Sequence, residues 1–298
     1  GSGVFLVKFL EKIIKIKEKT KNRRLSLEEK ADIVKNCLYG IDKNNNALRI
    51  AALSIYLKII ENESPEVINE KLFGDNREHF MFPGLRKNRN LVRGDSLFDY
   101  IFEEKRFDII VGNPPWGYDF RNWQKKIIRR RWPQVSKYQS SQCFLLGIKK
   151  WTKKETICVM VVNLSNFTSS ISSKFRRFLI NRCSLKSFIN LSKIKDITFG
   201  SGSEPACIII FDNMPADYIE FITPDLSQFS RLTHVITDGC TSKVPLNELK
   251  KNDNLWHIYA LGFDMYIGLI KFLDQYKSIL NDFQTTFQVG IMKYGKSS

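Results

Sequence analysis

Short, continuously apolar runs alternate along this chain with stretches of helical spacing, and that alternation limits the fold more than any other feature. FDIIVG (107–112), TICVMVVNL (156–164) and ACIIIFD (206–212) lack the polar alternation of a sheet with one wet face. Each therefore reads as a strand buried on both sides. CLYGID (37–42), NLVRGD (90–95) and SFINLS (187–192) are further strand candidates. Residues 4–19, 46–60, 141–151 and 172–183 carry apolar side chains at helical spacing. Strands and helices in this order predict a mainly parallel sheet covered on both faces. The expected class is a doubly wound, Rossmann-like α/β domain, with ligands at the carboxyl ends of the strands. After about residue 223 the pattern becomes irregular, punctuated by Pro224, Gly239 and Pro245, with a helix near 262–280. No internal repeat is visible, and 298 residues suffice for one large domain or one domain and part of another.

Charge narrows the class of partner. Lys and Arg number 47 against 31 Asp and Glu, a formal net charge of +16. Such an excess points to a polyanion, either nucleic acid or an anionic membrane surface. No apolar stretch approaches 18 residues and no signal peptide is visible, so the expectation is a soluble, cytoplasmic chain. Cys37, Cys143, Cys158, Cys183, Cys207 and Cys240 are scattered, without a C-x-x-C pair. Most lie in apolar runs and read as small core residues in a reducing compartment. His79, His234 and His257 are far apart, so no metal site is expected. From Phe120 to Lys154 there are eleven Lys and Arg and no acidic residue, with Trp123, Trp132 and Tyr138 among them. That segment reads either as a solvated helix face or as a phosphate-contacting flap centred on Arg129, Arg130 and Arg131.

The most informative residues are Asn113-Pro114-Pro115-Trp116, directly after FDIIVG. Here the chain resembles the amino-methyltransferases, whose shared motif is (Asn/Asp/Ser)-Pro-Pro-aromatic. The resemblance implies a catalytic role for Asn113, Pro114, Pro115 and Trp116. An adenine amine is a poor nucleophile because its lone pair is delocalised into the ring. Acceptance of both N6 hydrogens, by the Asn113 side-chain carbonyl and the Pro114 backbone carbonyl, favours a pyramidal nitrogen with its lone pair free to attack. The two prolines stiffen the loop, and Trp116 offers a flat face for an extruded base.

Other segments extend the resemblance. Gly1-Ser2-Gly3-Val4-Phe5-Leu6 is similar to the end of the family's cofactor loop, although the first strand and the acidic residue before the glycines are absent. Asp42 matches the family's acidic residue for the cofactor ribose, and Asp95 its acceptor for the cofactor adenine amine, with Leu97 and Phe98 near the ring. Phe199, in DITFGSGSEPACIIIF, falls where a second aromatic often meets the flipped base. The resemblance thus implies a site-specific adenine-N6 methyltransferase acting on double-stranded DNA with S-adenosylmethionine. Transfer is expected to be direct and in line, without a covalent intermediate. Gly1, Gly3, Asp42, Asp95 and Leu97 are the cofactor residues it implies. Residues 1–222 are expected to form the catalytic domain, and 223–298 a connector and the start of a target recognition region. Both belong to a longer restriction–modification or phage-defence enzyme on this reading, with an upstream helical or nuclease region. Two rivals use the same motif: a glutamine methyltransferase of release factors, and a DNA-binding domain without turnover. RNA adenine methylation also fits the motif.

Overall fold

The structure, a computed structural model, describes residues 1–73, 82–87, 89–195, 204–224, 240–263 and 267–274. It opens with α1 (Val4–Lys21) and α2 (Leu27–Cys37), then β1 (Gly40–Asp42), α3 (Asn45–Ile60), α4 (Pro65–Phe73), β2 (Leu91–Arg93) and β3 (Phe107–Gly112). The middle of the chain forms α5 (Asn122–Arg131), α6 (Ser140–Gly147), β4 (Thr152–Asn163), α7 (Ser165–Thr168), α8 (Ser173–Arg182) and β5 (Ser184–Asn190). It closes with β6 (Ala206–Asp212), β7 (Tyr218–Thr223), β8 (Cys240–Pro245), α9 (Leu246–Lys251), α10 (Leu255–Leu261) and α11 (Ile267–Asp274).

The architecture is mixed α/β. β1 and β2 form a parallel pair, and β3-β4-β6-β5-β7-β8 is the order of a six-stranded sheet. Of its pairings, β3–β4 and β5–β7 are parallel, whereas β4–β6, β5–β6 and β7–β8 are antiparallel. The mainly parallel sheet expected from the sequence is therefore corrected to a mixed one. The physical reason lies in β6. A strand flanked on both sides and covered on both faces is apolar throughout, whichever way it runs, so ACIIIFD carries no mark of its direction. FDIIVG also departs from expectation. As β3 it is an edge of the six-stranded sheet among the described residues, and Ile109 remains 46% exposed.

Two apolar cores hold the elements. Leu10 of α1, Ile33 and Val34 of α2, and Leu48, Ala51, Ile55 and Ile59 of α3 pack together with Leu91 of β2. The second core gathers Leu145 and Leu146 of α6, the inward residues of β4–β8, Phe175 and Leu179 of α8, and Trp256 of α10. Trp256 lies between Phe167, Phe188 and Phe221, at centroid distances of 5.4, 6.5 and 5.7 Å. The buried guanidinium of Arg176 donates from Nε to Asp253 Oδ1 at 3.1 Å and from Nη1 to the Ser169 carbonyl at 2.6 Å. It thereby clamps α8 to the turn before α10. Sheet and core thus run past residue 222, the expected catalytic boundary, and take in residues 240–261. None of the helices among the described residues is long and apolar enough to cross a membrane.

Candidate active site

The parallel register of β1 and β2 sets Asp42 beside Arg93 and brings two carboxylates to one end of the pair. Asp42 closes β1 and accepts from the Asn44 amide at 2.7 Å, and its other oxygen meets the Gly1 nitrogen. Gly1 lies just ahead of α1. Gly3, the residue before that helix, has φ +79°, and a Cβ there would stand 2.7 Å from the Ala51 Cβ of α3. Only glycine suits both the left-handed backbone and the close approach. The glycine turn is thus held between α3 and the end of β1, next to Asp42.

Asp95 follows β2 by two residues. Its Oδ1 accepts from the Leu97 amide at 3.0 Å, and its Oδ2 pairs with Lys43 Nζ at 2.7 Å. Lys43 also lies 4.8 Å from the Tyr118 ring centroid and 3.4 Å from its hydroxyl. Burial works against the Lys43 charge, but the Asp95 carboxylate and the Tyr118 hydroxyl outweigh it and leave the pKa raised. One lysine therefore bridges the end of β2 and the loop after β3. Neither Lys43 nor Tyr118 stood out in the sequence. Their only signal was adjacency, Lys43 to Asp42 and Tyr118 to the Asn-Pro-Pro-Trp motif.

The motif itself leaves the end of β3. Asn113 and Pro115 are exposed, Pro114 is buried, and Trp116 is half-buried. Ser140 Oγ, at the start of α6, donates to the Pro115 carbonyl at 2.5 Å. Behind Ser140 lies a buried polar layer: Asn166 Nδ2 donates to Ser141 Oγ at 2.8 Å, and Gln142 Nε2 to Ser172 Oγ at 3.0 Å. These bonds fix α6 against α7 and the segment before α8, and so fix the floor of the loop. Trp116 packs against Ile189, Leu191, Ile194 and Ala206. Gly117 follows with φ +66°, a turn that glycine adopts without strain. Phe199 lies outside the described residues.

An aromatic chain connects this loop to the basic helix. Tyr118 meets Phe120 at 5.0 Å, Phe120 meets Phe98 at 5.9 Å, and Phe98 meets Trp123 of α5 at 5.3 Å between centroids. Leu97 is buried beneath α5 with Phe120, Ile128 and Cys143. The three consecutive arginines do not share one environment. Arg129 lies over the Tyr138 ring at 5.4 Å and donates to its hydroxyl. Arg131 reaches the Leu97 carbonyl at 3.4 Å, and all three arginines are exposed.

Known proteins with the same pattern locate the chain. Residues 36–197, more than half of it, match the Eco57I restriction-modification methylase family. The chain is 28% identical over 145 residues to the type II restriction enzyme and methyltransferase RM.Eco57I of Escherichia coli, covering 39% of this chain and 14% of that protein. It is 25% identical over 195 residues to a putative type II restriction enzyme and methyltransferase of Methanocaldococcus jannaschii, covering 60% of this chain and 16% of the relative. It therefore spans about one-seventh of the length of the curated relatives it matches. Among solved structures, the type IIL restriction-modification enzyme MmeI in complex with DNA superposes with a TM-score of 0.55 at 14% identity, over 82% of this chain and 33% of that one. The EcoKI M protein superposes with a TM-score of 0.54 at 11% identity, over 96% of this chain and 68% of the other. At such identities these structures speak to the fold alone. The family match, which spans β1, β2 and the Asn113–Trp116 loop, carries the assignment: this chain belongs to the Eco57I restriction-modification methylase family.

Proposed function

We propose that this domain transfers a methyl group from S-adenosylmethionine to the N6 amine of an adenine extruded from double-stranded DNA. The observation that carries the reading is the joining of the Asn113–Trp116 loop, through Tyr118 and Lys43, to the strand end that bears Asp95. Beside it, Asp42 closes the paired strand β1. Family membership supports the methyltransferase class.

The residues present fit the cofactor. Gly3, where a side chain would collide with Ala51 of α3, lets the glycine turn pack close to α3, with Gly1 against Asp42 at the end of β1. A carboxylate such as Asp42 suits two vicinal ribose hydroxyls. Asp95 has acceptor capacity left on both oxygens after Leu97 and Lys43 are served. When bound, the cofactor supplies an electrophilic methyl group on a sulfonium.

The chain's own contribution is orientation and acceptance. Asn113 Oδ1 and the Pro114 carbonyl accept the two N6 hydrogens, so the amine turns tetrahedral and its lone pair is freed. These bonds strengthen as positive charge grows on nitrogen, which makes them stronger in the transition state than before it, and the methylated amine then releases one N6 proton to solvent water. Trp116 stacks on the extruded base while its other side stays packed on the Leu191 cluster. Ser140 holds the Pro115 carbonyl and with it the angle of the loop. Sequence recognition would come from further domains of a longer restriction–modification enzyme, with the stretch after the sheet as the approach to them.

The test is transfer of a labelled methyl group to duplex DNA, RNA and release-factor protein, followed by nucleoside analysis. The expected product is N6-methyladenine in duplex DNA. Label appearing only in protein glutamine, or only in RNA, overturns the reading.

A further inference from the structure

The sequence marks Arg129, Arg130 and Arg131 alike, but the helix that carries them divides them. Gln124 and Ile128 are the buried residues of α5. With 3.6 residues per turn, the opposite side of the helix presents Trp123, Lys126 and Arg130, at spacings of three and four. All three are exposed, and the Trp123 indole is 50% open. Arg129 and Arg131 are exposed as well but are engaged within the protein, the first laid on Tyr138 and the second reaching the Leu97 carbonyl. Lys125 is likewise engaged, pairing with Asp119 at 2.8 Å.

We propose that the outward stripe Trp123–Lys126–Arg130 is a duplex-DNA contact beside the target-base loop, with phosphates at Lys126 and Arg130 and the Trp123 ring against a base or sugar next to the extruded nucleotide. Arg129 and Arg131 secure the helix rather than bind DNA. This deepens the methyltransferase reading and rests on it for the position of the target base. Three observations argue for a polyanion as the occupant. No acidic residue occurs from Phe120 to Lys154, so nothing within the segment neutralises the stripe. The stripe carries an exposed aromatic of the kind on which bases stack, flanked by cations, which a merely solvated helix face has no need of. Finally, the edge-to-face contacts Trp123–Phe98–Phe120–Tyr118 tie the stripe to the loop that follows Trp116. The helix is thus anchored to the site, with its cations on the side away from the core.

The experiment is a salt titration of duplex binding by the protein and its single variants. Lys126→Gln and Arg130→Gln should each make the slope of log K against log salt shallower by about 0.9, one phosphate contact apiece. Both should weaken unrelated duplexes by the same factor as a cognate one, since phosphate contacts position without reading sequence. Arg129→Gln and Arg131→Gln should leave the slope unchanged while lowering the thermal midpoint. Trp123→Ala should weaken binding about fivefold or more at constant slope, and Trp123→Phe should restore most of it. The proposal is overturned if the Lys126 and Arg130 variants keep the parental slope, if all four cation variants lose slope equally, or if the protein binds no duplex. Methyl transfer measured on the same samples separates the two readings. Shallower slopes without any transfer would leave the stripe standing and remove the methyltransferase reading, whereas transfer with unchanged slopes would remove only the stripe.

Discussion

Asn113 emerges exposed at the end of β3, with the buried Pro114 behind it and Pro115 pinned by Ser140. An exposed amide on a stiff loop contributes little to folding, so its worth should appear in turnover. Asn113→Ala should lower kcat by about a hundredfold or more, as loss of one preorganised polar partner of the transition state does. Cofactor and duplex affinities, measured by calorimetry, should stay near the parental values, and near-normal turnover would remove the residue from the chemistry. Trp116 differs because part of its ring is committed to the cluster of Ile189, Leu191, Ile194 and Ala206. Trp116→Ala should weaken base capture by about 1–3 kcal/mol and also lower the thermal midpoint, whereas Trp116→Phe should keep most of both. A 2-aminopurine at the target position reports capture separately from stability. An unchanged fluorescence rise in Trp116→Ala would show that the ring only packs. Gly3 makes a third case. Its φ of +79° and the 2.7 Å approach to Ala51 make Gly3→Ala costly by about 1–3 kcal/mol. Denaturant unfolding of the variant should show that loss, and wild-type stability would mean that the glycine turn lies elsewhere.

At the scale of elements, the ion pair between Arg176 and Asp253 fastens α8 to the turn before α10. The Arg176 side chain is 1% exposed and Asp253 10%, so removal of either partner strands a charge in a poorly hydrated site. Arg176→Met should destabilise the protein by about 3–5 kcal/mol. Arg176→Met combined with Asp253→Leu should recover most of that loss, since a buried ion pair can be replaced by apolar packing at little cost. Urea titrations of the two single variants and the double variant measure this directly. If the double variant is no more stable than Arg176→Met, the loss does not come from the stranded carboxylate. Val244 and Trp256, on either side of Asp253 in sequence, share one core with β4–β7.

At the scale of the whole molecule, among the cysteines whose burial is described, Cys158, Cys183 and Cys207 lie in the sheet core, Cys143 lies in the cluster beneath α5, and Cys37 is exposed. Burial pushes the thiols of Cys143 and Cys158 up to about 12, and raises those of Cys183 and Cys207 as well. In the folded state the buried thiols stay protonated where unfolded ones, with a reference value of about 8.5, have ionised. Their contribution is therefore fully present below about pH 8.5 and is lost as pH rises toward about 12. Denaturant midpoints should accordingly fall between pH 8 and about pH 11, and the fall should lessen in Cys143→Ala with Cys158→Ala, compared with their own values at pH 8. An aromatic disulfide reagent at pH 8 should label Cys37 rapidly and reach Cys143, Cys158, Cys183 and Cys207 only on unfolding. Prompt labelling of Cys158 in the native protein would contradict its burial in β4.

Much of this protein was legible along the chain, because its signals are local. The Asn113–Trp116 motif, the acidic strand ends Asp42 and Asp95, and helices α1, α3 and α8 each announce themselves within a few residues, through periodicity or through chemistry at a turn. The length of α3, expected at 46–60 and observed at Asn45–Ile60, shows how far a clean helical period carries. What depended on distant pairing was hidden. The direction of β6 was unreadable, since a central strand is apolar either way. The exposure of β3 follows from its place at the sheet edge, which depends on strand order rather than composition. β8, α9 and α10 lie where turn residues break the apolar period, and their burial is decided by partners such as Phe188 and Arg176 far away in sequence. Three consecutive arginines look equivalent as text, yet a helix turns each by about 100° from the last, so tertiary packing alone decided that Arg129 meets Tyr138 and Arg131 the Leu97 carbonyl. The sequence determined the chemistry each segment can offer, and only the folded chain determined which offers meet: Lys43, inconspicuous beside Asp42, is the residue that joins Asp95 to Tyr118.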